Sequence, residues 1–256
     1  KIKSGIPEGN GDGQFEYKGS DWMFTYNLGL MVTPTEDLRF GVSYRSSAHV
    51  TARGDYYIRN NMVMNGEGDG KGRLQTPETV YISATWKPIQ KLRLSGLARW
   101  ANWRKFENMR FSMDDKNNLT QTSLAPTILG YRAQQLQNGL ANVSIQNDWK
   151  AAWLFSLGAD LDITDQWTIR GGIALETDPI KKQYLRTALI PDTKRLWLTC
   201  GFSWKPTPKW QIDMAYGHIR GIGHRDLYDA AEGGKKVGKF EKMNAWMAGA
   251  AVTYRF

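Results

Sequence analysis

The sequence has one cysteine in 256 residues, Cys200, so no disulfide can form within the chain. It has no run of eighteen or more apolar residues, which excludes a membrane-spanning helix. It also lacks a basic start followed by an apolar core, and begins at Lys1 in polar sequence; we expect that processing or truncation removed what came before. Membrane-spanning strands stay possible, because each needs only about ten alternating residues.

Aromatic residues are abundant, with 11 Trp and 11 Tyr. Such side chains are enriched at membrane interfaces, where an apolar ring and a polar group are both accommodated. The formal net charge is +9, which would suit a nucleic-acid partner. However, Lys and Arg are spread over strand ends and loops without a recognisable nucleic-acid-binding module. We therefore expect no nucleic-acid partner and favour a basic rim that faces anionic lipid.

Apolar residues alternate with small or polar residues in the closing segment, Asn244–Phe256, as in a strand with two different faces. The same alternation recurs along the chain. It predicts nine strands, at residues 22–32, 38–44, 80–86, 92–100, 149–161, 167–175, 196–204, 210–218 and 244–256.

The connections between these strands are short and long in turn. "TPTED", "KPIQK", "DITDQ" and "KPTPK" are tight turns, whereas residues 53–76, 106–142, 177–193 and 219–240 form long connections. This asymmetry is typical of an outer-membrane barrel with short periplasmic turns. A soluble β-sandwich is the alternative, but the second face of the strands is too polar to be buried in one.

The prediction is an all-β fold, a transmembrane antiparallel β-barrel. Nine antiparallel strands cannot close a ring, since the first and last would run parallel, so we expect further strands before Lys1. The last long connection is external in this topology, which places the C-terminus on the periplasmic side. The aromatic Phe256 would then end the final strand on its lipid-facing side.

Three stretches resemble the FadL family of outer-membrane long-chain fatty acid and hydrocarbon transporters. They are "SDWMFTYNLGLMVTPTEDLRFGVSYRS" (20–46), "DWKAAWLFSLGADLDITDQWTIRGGIALETDPI" (148–180) and "RTALIPDTKRLWLTCG" (186–201). The resemblance extends from about residue 20 to Phe256. It implies a fourteen-stranded barrel plugged by an N-terminal hatch. Residues 1–256 would be one incomplete barrel domain, with the C-terminal nine strands present and the hatch and about five strands absent.

The resemblance also implies a function, the passive transport of long-chain fatty acids or similar hydrophobic compounds without catalysis or a cofactor. Ligands would be captured among the outer loops, held in the lumen, and released sideways after a shift of the hatch. The expected partners are the hydrophobic ligand, outer-membrane lipid and lipopolysaccharide, and the complete barrel would be monomeric.

Two other functions remain open. A barrel of the same fold could be a protein-interaction or secretion-associated module. A lipid-acting enzyme is disfavoured, because no Ser, His and acid converge on one inward face. The three histidines lack metal-ligand spacing, so no metal site is expected.

Lys150 is the main candidate for binding an acid head group, because it matches a lumen lysine of the family and has inward parity. A carboxylate beside it would gain a charge-assisted hydrogen bond. The alternative role is an ion pair with a neighbouring inward acid such as Asp160 or Glu176. Arg45, near the outer end of its strand, is a second candidate for guiding acids.

Apolar residues on the inward face suit an acyl chain, or else packing against the absent hatch. They are Met23, Met31, Leu97, Leu154, Trp197 and Met247. In "IPDTKR", Pro191 and Asp192 are predicted to form a turn at the outer rim. Either Arg195 or Arg186 would pair with the acid, which is a structural role.

Overall fold

The computed structural model describes residues 2–8, 11–59, 64–106, 108–113, 120–121, 142–146, 148–182, 186, 192–229 and 235–256. Side chains are described within these ranges except at residues 2–8, 11–15, 58, 64–65, 108–111, 113, 120–121, 142–146 and 229. Pro191, one of the predicted rim residues, lies outside the described residues.

The described residues form strands and one short 3-10 helix, Trp103–Lys105. In chain order the strands are β1 Ile2–Glu8, β2 Gly11–Ser20, β3 Asn27–Thr35, β4 Leu38–Arg45, β5 His49–Arg59, β6 Met64–Gln75, β7 Thr79–Ile89, β8 Leu92–Ala101, β9 Asn108–Met113, β10 Thr120–Gln121, β11 Asn142–Gln146, β12 Ala152–Asp162, β13 Trp167–Glu176, β14 Arg195–Thr207, β15 Trp210–Gly221, β16 Asp226–Asp229, β17 Lys235–Lys239 and β18 Asn244–Tyr254. Among the described residues, no helix has the length and hydropathy needed to cross a membrane.

The chain divides into two compact units. One contains Lys1–Phe24, Ser47–Thr76 and Lys105–Asn147, and the other contains Thr25–Ser46, Pro77–Arg104 and Asp148–Phe256. The second unit carries the nine strands predicted from alternation, so that prediction is confirmed. They form one antiparallel sheet in the order β18-β15-β14-β13-β12-β8-β7-β4-β3.

The register of this sheet aligns the apolar positions of neighbouring strands. Leu157 lies opposite Ile173, and Ile169 lies opposite Phe202. The apolar residues on this outward face are largely exposed, and aromatic pairs lie near its margins, as in the stacking of Trp167 on Trp204 at 5.7 Å between ring centroids. A broad exposed apolar face of this kind is typical of a sheet surrounded by lipid.

Two strands form the outer edges of the nine-stranded sheet, β3 and β18. Every residue of both strands is exposed, and within the described part of the chain neither strand pairs along its outer edge. The open edges agree with the odd number of antiparallel strands.

Two predicted strand boundaries were wrong. The first strand begins at Asn27 rather than Trp22, so Met23 does not lie on a strand. The Asp21 carboxylate accepts the N–H groups of Trp22 (2.9 Å) and Thr51 (2.6 Å), so side-chain contacts replace ladder bonds there. Strand β12 begins at Ala152, and Lys150 therefore precedes it, next to an isolated bridge between Trp149 and Ile180.

The first unit holds a sheet that alternation did not predict. Its order is β1-β2-β5-β6-β9-β11, with β10 paired to β6. Residues 53–76 were predicted as a loop, but β5 and β6 occupy much of them. Glycine interrupts the alternation in these strands. A Cβ at Gly54 on β5 would lie 2.0 Å from the Lys18 carbonyl oxygen on β2, so only glycine allows these two strands to approach so closely. The buried hydroxyl of Tyr17 donates to the Ala52 carbonyl (2.6 Å).

Candidate ligand-binding cavity

A cavity of about 760 Å³ lies against the inward face of the nine-stranded sheet. Residues from β7, β8, β12, β13, β14, β15 and β18 line it. Its middle is open because several inward positions of adjacent strands are glycines, among them Gly158, Gly172, Gly201, Gly217 and Gly249. Side chains of normal size at these positions would fill the space.

Four of the predicted apolar residues line this cavity: Leu97, Leu154, Trp197 and Met247. Met31 does not line it and is 70% exposed on the edge strand β3. Met23 is also exposed, ahead of β3. Arg45 is exposed at the end of β4 and does not line the cavity. The structure therefore brings together only the candidates on β8, β12, β14 and β18.

Glu176 is a buried acid at the end of the cavity nearest the long connections, with 6% of its surface exposed. It accepts hydrogen bonds from Arg99 and from Trp197 Nε1 (3.1 Å), and Arg195 Nε lies 3.2 Å away. The three residues reach it because β13 is paired with β14, and β12 links β13 to β8. Two guanidinium groups therefore compensate one buried carboxylate.

Lys150 lies at the same end, although it does not line the cavity. Its Nζ is 4.0 Å from Asp178 Oδ1, and its side chain is 48% exposed. The alternative role was an ion pair with a neighbouring acid such as Asp160 or Glu176. The acid beside Lys150 is Asp178 instead, because Asp160 pairs with Arg93 (3.6 Å) and Arg170 (3.7 Å) and Glu176 binds the two arginines described above. At 4.0 Å the pair with Asp178 is long, and the Lys150 ammonium is accessible to another anion. Its role in ligand binding stays a prediction.

The rim residues connect three segments at the start of β14. Arg186 is 2% exposed and donates through Nε to the Asp192 carbonyl (3.0 Å) and through Nη1 to the Asp226 carbonyl (3.2 Å). The Asp192 carboxylate lies 3.3 Å from Arg195 Nη2 and accepts the Thr193 N–H at 2.8 Å. Of the two predicted partners, Arg195 pairs with the acid, and Arg186 binds the backbone. Burial raises the pKa of the Asp192 carboxyl, although Arg195 acts in the opposite direction.

A charged ladder crosses the inward face nearer the tight turns. Arg93 binds Asp162 through two hydrogen bonds of 2.7 and 2.9 Å. Asp160 lies between Arg93 and Arg170, and Arg170 Nη1 is 3.3 Å from Asp213. These charges satisfy one another, so this end of the cavity is polar and both Arg93 and Arg170 are paired with acids.

Neither the ladder nor the three contacts of Glu176 was predicted from the sequence. A signal existed, because Asp160 has inward parity and its register partners are Arg93 and Arg170. Only the strand register, which alternation leaves unspecified, makes these residues neighbours. Within the described residues, no group of three or more His, Cys, Asp or Glu is placed to hold a metal ion.

The family model of outer membrane transport proteins (OMPP1/FadL/TodX) matches residues 3–256. The chain belongs to this family. The resemblance found in the three sequence stretches is therefore confirmed, and so is the fold class, because the chain forms a sheet of nine antiparallel strands and is structurally similar to FadL and TodX barrels. Members of the FadL family are outer-membrane transport proteins.

Individual relatives agree with this assignment. The chain is 24% identical to the long-chain fatty acid transport protein of Escherichia coli O6:H1 over 276 residues, which cover 100% of this chain and 56% of that protein. The crystal structure of a Pseudomonas aeruginosa FadL homologue has a TM-score of 0.73 at 19% identity, covering 97% of this chain and 56% of the other. For the P. putida toluene transporter TodX the TM-score is 0.61 at 12% identity, covering 96% and 54%.

The chain spans about half the length of the curated relatives it matches. The two solved structures, at identities under 25%, support the fold. The family match therefore supports the transport class, and the cavity is the feature of this chain that bears on its ligand.

Proposed function

We propose that the chain forms part of an outer-membrane barrel that passively transports long-chain fatty acids or similar hydrophobic compounds. The observation that carries this proposal is the inward cavity with Leu97, Leu154, Trp197 and Met247 in its lining. A water-filled pore would have a polar interior at such positions. Relatives named as a long-chain fatty acid transport protein and a toluene transporter support the same ligand class. The protein catalyses no reaction in this proposal.

The acid head of a fatty acid would bind at the end of the cavity nearest the long connections. The Lys150 ammonium is accessible there, whereas Arg93 and Arg170 at the other end are paired with acids. A carboxylate next to Lys150 would form a charge-assisted hydrogen bond, while the tail extends along the glycine-rich middle of the sheet. Arg45, at the end of β4, would attract acids to the barrel without holding them.

The single-domain arrangement is part of the same proposal. In it, residues 1–256 supply nine strands of one monomeric fourteen-stranded barrel, and the hatch and about five strands lie outside the chain. The open edges of β3 and β18 support this arrangement. The tight turns would be periplasmic, and so would the C-terminus after β18. Outer-membrane lipid and lipopolysaccharide would surround the outward face, with its exposed apolar residues.

Ligand binding to the full-length protein tests this function. Lys150→Gln should weaken fatty acid binding about tenfold, or about 1.4 kcal/mol, because one charge-assisted contact is lost. It should not change the binding of an alkane of similar length, which has no carboxylate. Titration with a fluorescent fatty acid, and competition with the alkane, would measure both affinities.

Lys181→Gln is the matched control, since Lys181 is a neighbouring exposed cation paired with Asp148 at 3.5 Å. It should leave both affinities unchanged. Equal fatty acid affinity in wild type and Lys150→Gln would remove Lys150 from the site without affecting the ligand class. No saturable binding of either ligand to the wild type would contradict the proposed function itself.

A further inference from the structure

A basic pocket lies at the end of β15 nearest the long connections. It has a volume of about 480 Å³, and its polar lining side chains are His218, Arg220, Arg225, Lys242 and Asn244. No lining residue is acidic. This pocket is separate from the inward cavity, with which it shares no lining residue.

The basic pocket continues the outward, lipid-facing surface of β15 and β18. The register pairs on this surface run in order along the two strands. They begin with Trp210 and Tyr254, continue through three mainly apolar pairs to His218 and Trp246, and end with Arg220 and Asn244. From Trp210 to His218 the strand rises about 26 Å, or about 20 Å across the membrane at a tilt of about 40°. This length is close to the apolar band of a barrel, so Arg220 falls just beyond it, at the level of lipid headgroups.

The pocket is built by defined contacts. The His218 ring stacks on Trp246 at 5.7 Å with an interplanar angle of 6°, and its Nε2 atom is buried without a hydrogen-bond partner in the described structure. Gly221 N–H donates to the Met243 carbonyl at 2.7 Å, which brings the segment carrying Lys242 back to β15. A Cβ at Gly221 would lie 2.9 Å from Met243 Cβ and 3.0 Å from the Met243 carbonyl oxygen, so glycine permits this approach.

No ion pair joins the pocket's cations to an acidic side chain within the described residues. Arg225 Nη1 donates to the Glu241 carbonyl, which orients its guanidinium. Of the residues that the structure describes, none forms an ion pair with Arg220 or Lys242. Like charges gathered at one place repel each other, and an anion with several acceptor oxygens would relieve that repulsion.

An apolar groove lies on the same outward surface, below the pocket. Its volume is about 660 Å³, and its larger lining residues are Ile169, Phe202, Met214 and Tyr216, with Ala248 and Ala250. Tyr216 and Ala248 are each two residues from the His218–Trp246 pair on the same face. A cationic pocket thus continues into an apolar groove, along two paired strands.

We infer that the basic pocket binds the phosphate group of a phosphorylated membrane lipid, with an acyl chain of that lipid in the apolar groove. The inference rests on the proposed function in placing this end of the barrel in the outer leaflet. Phosphate oxygens accept hydrogen bonds from Arg220, Arg225 and Lys242 together. A soluble phosphate would use the pocket but not the groove.

The test measures lipid binding to the full-length protein in detergent by native mass spectrometry. The probes are diphosphoryl lipid A, the same lipid without its phosphates, and inorganic phosphate as a competitor. The variant Arg220→Gln/Lys242→Gln should bind diphosphoryl lipid A about thirtyfold more weakly, since each cation near a lipid surface contributes about fivefold in affinity. The dephosphorylated lipid should bind wild type and variant equally weakly.

The matched control is Lys209→Gln/Arg255→Gln, which removes two cations at the other end of the same strands, where Arg255 N–H donates to the Lys209 carbonyl at 2.8 Å. It should leave lipid A affinity within a few-fold of wild type. Equal weakening by control and variant, equal binding of the two lipids, or displacement of lipid A by millimolar inorganic phosphate would each overturn the inference. Hydrocarbon uptake by the Arg220→Gln/Lys242→Gln variant should equal that of the wild type. Absence of hydrocarbon uptake by the wild type itself would contradict the transport proposal and not the lipid site.

Discussion

Buried charge at single residues is matched by nearby groups of opposite charge. Glu176 is the clearest case, because its two oxygens contact Arg99, Arg195 and Trp197. Such a cluster contributes little net stability relative to an apolar one, but removal of one partner leaves an uncompensated charge. Glu176 therefore positions Trp197, whose ring lines the cavity, by accepting a hydrogen bond from its Nε1 atom.

Asp192 should make the stability of the rim depend on pH. Its pKa is raised by burial in the folded protein, so the folded state holds this proton more tightly than the unfolded chain does. The ionised form costs stability above the folded pKa, and this cost disappears as the pH falls through the folded pKa towards the unfolded value of about 3.9. Relative to Asp192→Asn, the wild type should gain stability between neutral pH and about pH 4.

Urea unfolding in lipid vesicles at several pH values would measure this difference. Asp165→Asn, in the exposed tight turn between β12 and β13, corrects for the general loss of a surface carboxylate. A wild-type advantage that shrinks as the pH falls would contradict the prediction.

Within the strands, glycine on the inward face has two roles: it allows paired strands to pack closely, and it leaves space in the cavity. Substitution at different glycines can separate these roles. A Cβ at Gly201 would lie 2.7 Å from the Met214 carbonyl oxygen, a backbone atom of the paired strand β15. A Cβ at Gly249 would meet nothing within 4 Å. Gly201 is needed for strand packing, whereas Gly249 only leaves the cavity open.

We therefore expect Gly201→Ala to destabilise the protein by about 1–3 kcal/mol, because β15 has to shift. Gly249→Ala should stay within about 0.5 kcal/mol of wild type. Both variants exchange glycine for alanine, so the unfolded-state contribution is shared. Equal urea midpoints for the two variants would show that the contact with Met214 carries no strain.

Strand prediction succeeded where the two faces of an element differ in chemistry. The nine strands of the sheet have one face for lipid and another for the lumen, which gives a period of two. Strands β5 and β6 were missed because glycine and charged residues occupy both faces of a segment such as Gly66–Gly72. Met23 was misplaced because alternation continues through residues 22–26, whereas the strand begins only at Asn27.

The whole molecule needs partners for its two open sheet edges. β3 and β18 have 9 and 11 residues, and their outer backbone groups are unpaired within the described strands. Each unpaired polar group in lipid costs several kcal/mol. The 256-residue chain refolded by itself should therefore not form a compact, heat-modifiable species in vesicles, whereas the full-length protein should.

Electrophoresis of unheated and heated samples would detect the folded species by its mobility. A heat-modifiable band from the chain alone, at the size of a monomer, would mean that nine strands close without help. The same band at twice that size would mean that a second copy covers the edges. Either result would contradict the proposed fourteen-stranded arrangement.

For the nine-stranded sheet, the sequence by itself determined the element type and which residues of each strand share a face, because lipid and lumen impose opposite chemistry on alternate residues. It also determined the family, through the three stretches at residues 20–46, 148–180 and 186–201. The tertiary structure alone decided which inward residues meet. Lys150 lies by Asp178 rather than Asp160, and Glu176 gathers two arginines, because strand register and local bridges bring together side chains that are far apart in sequence. Alternation along one strand does not specify its register with the next strand. The lining of the cavity and of the basic pocket is therefore known only from the tertiary structure.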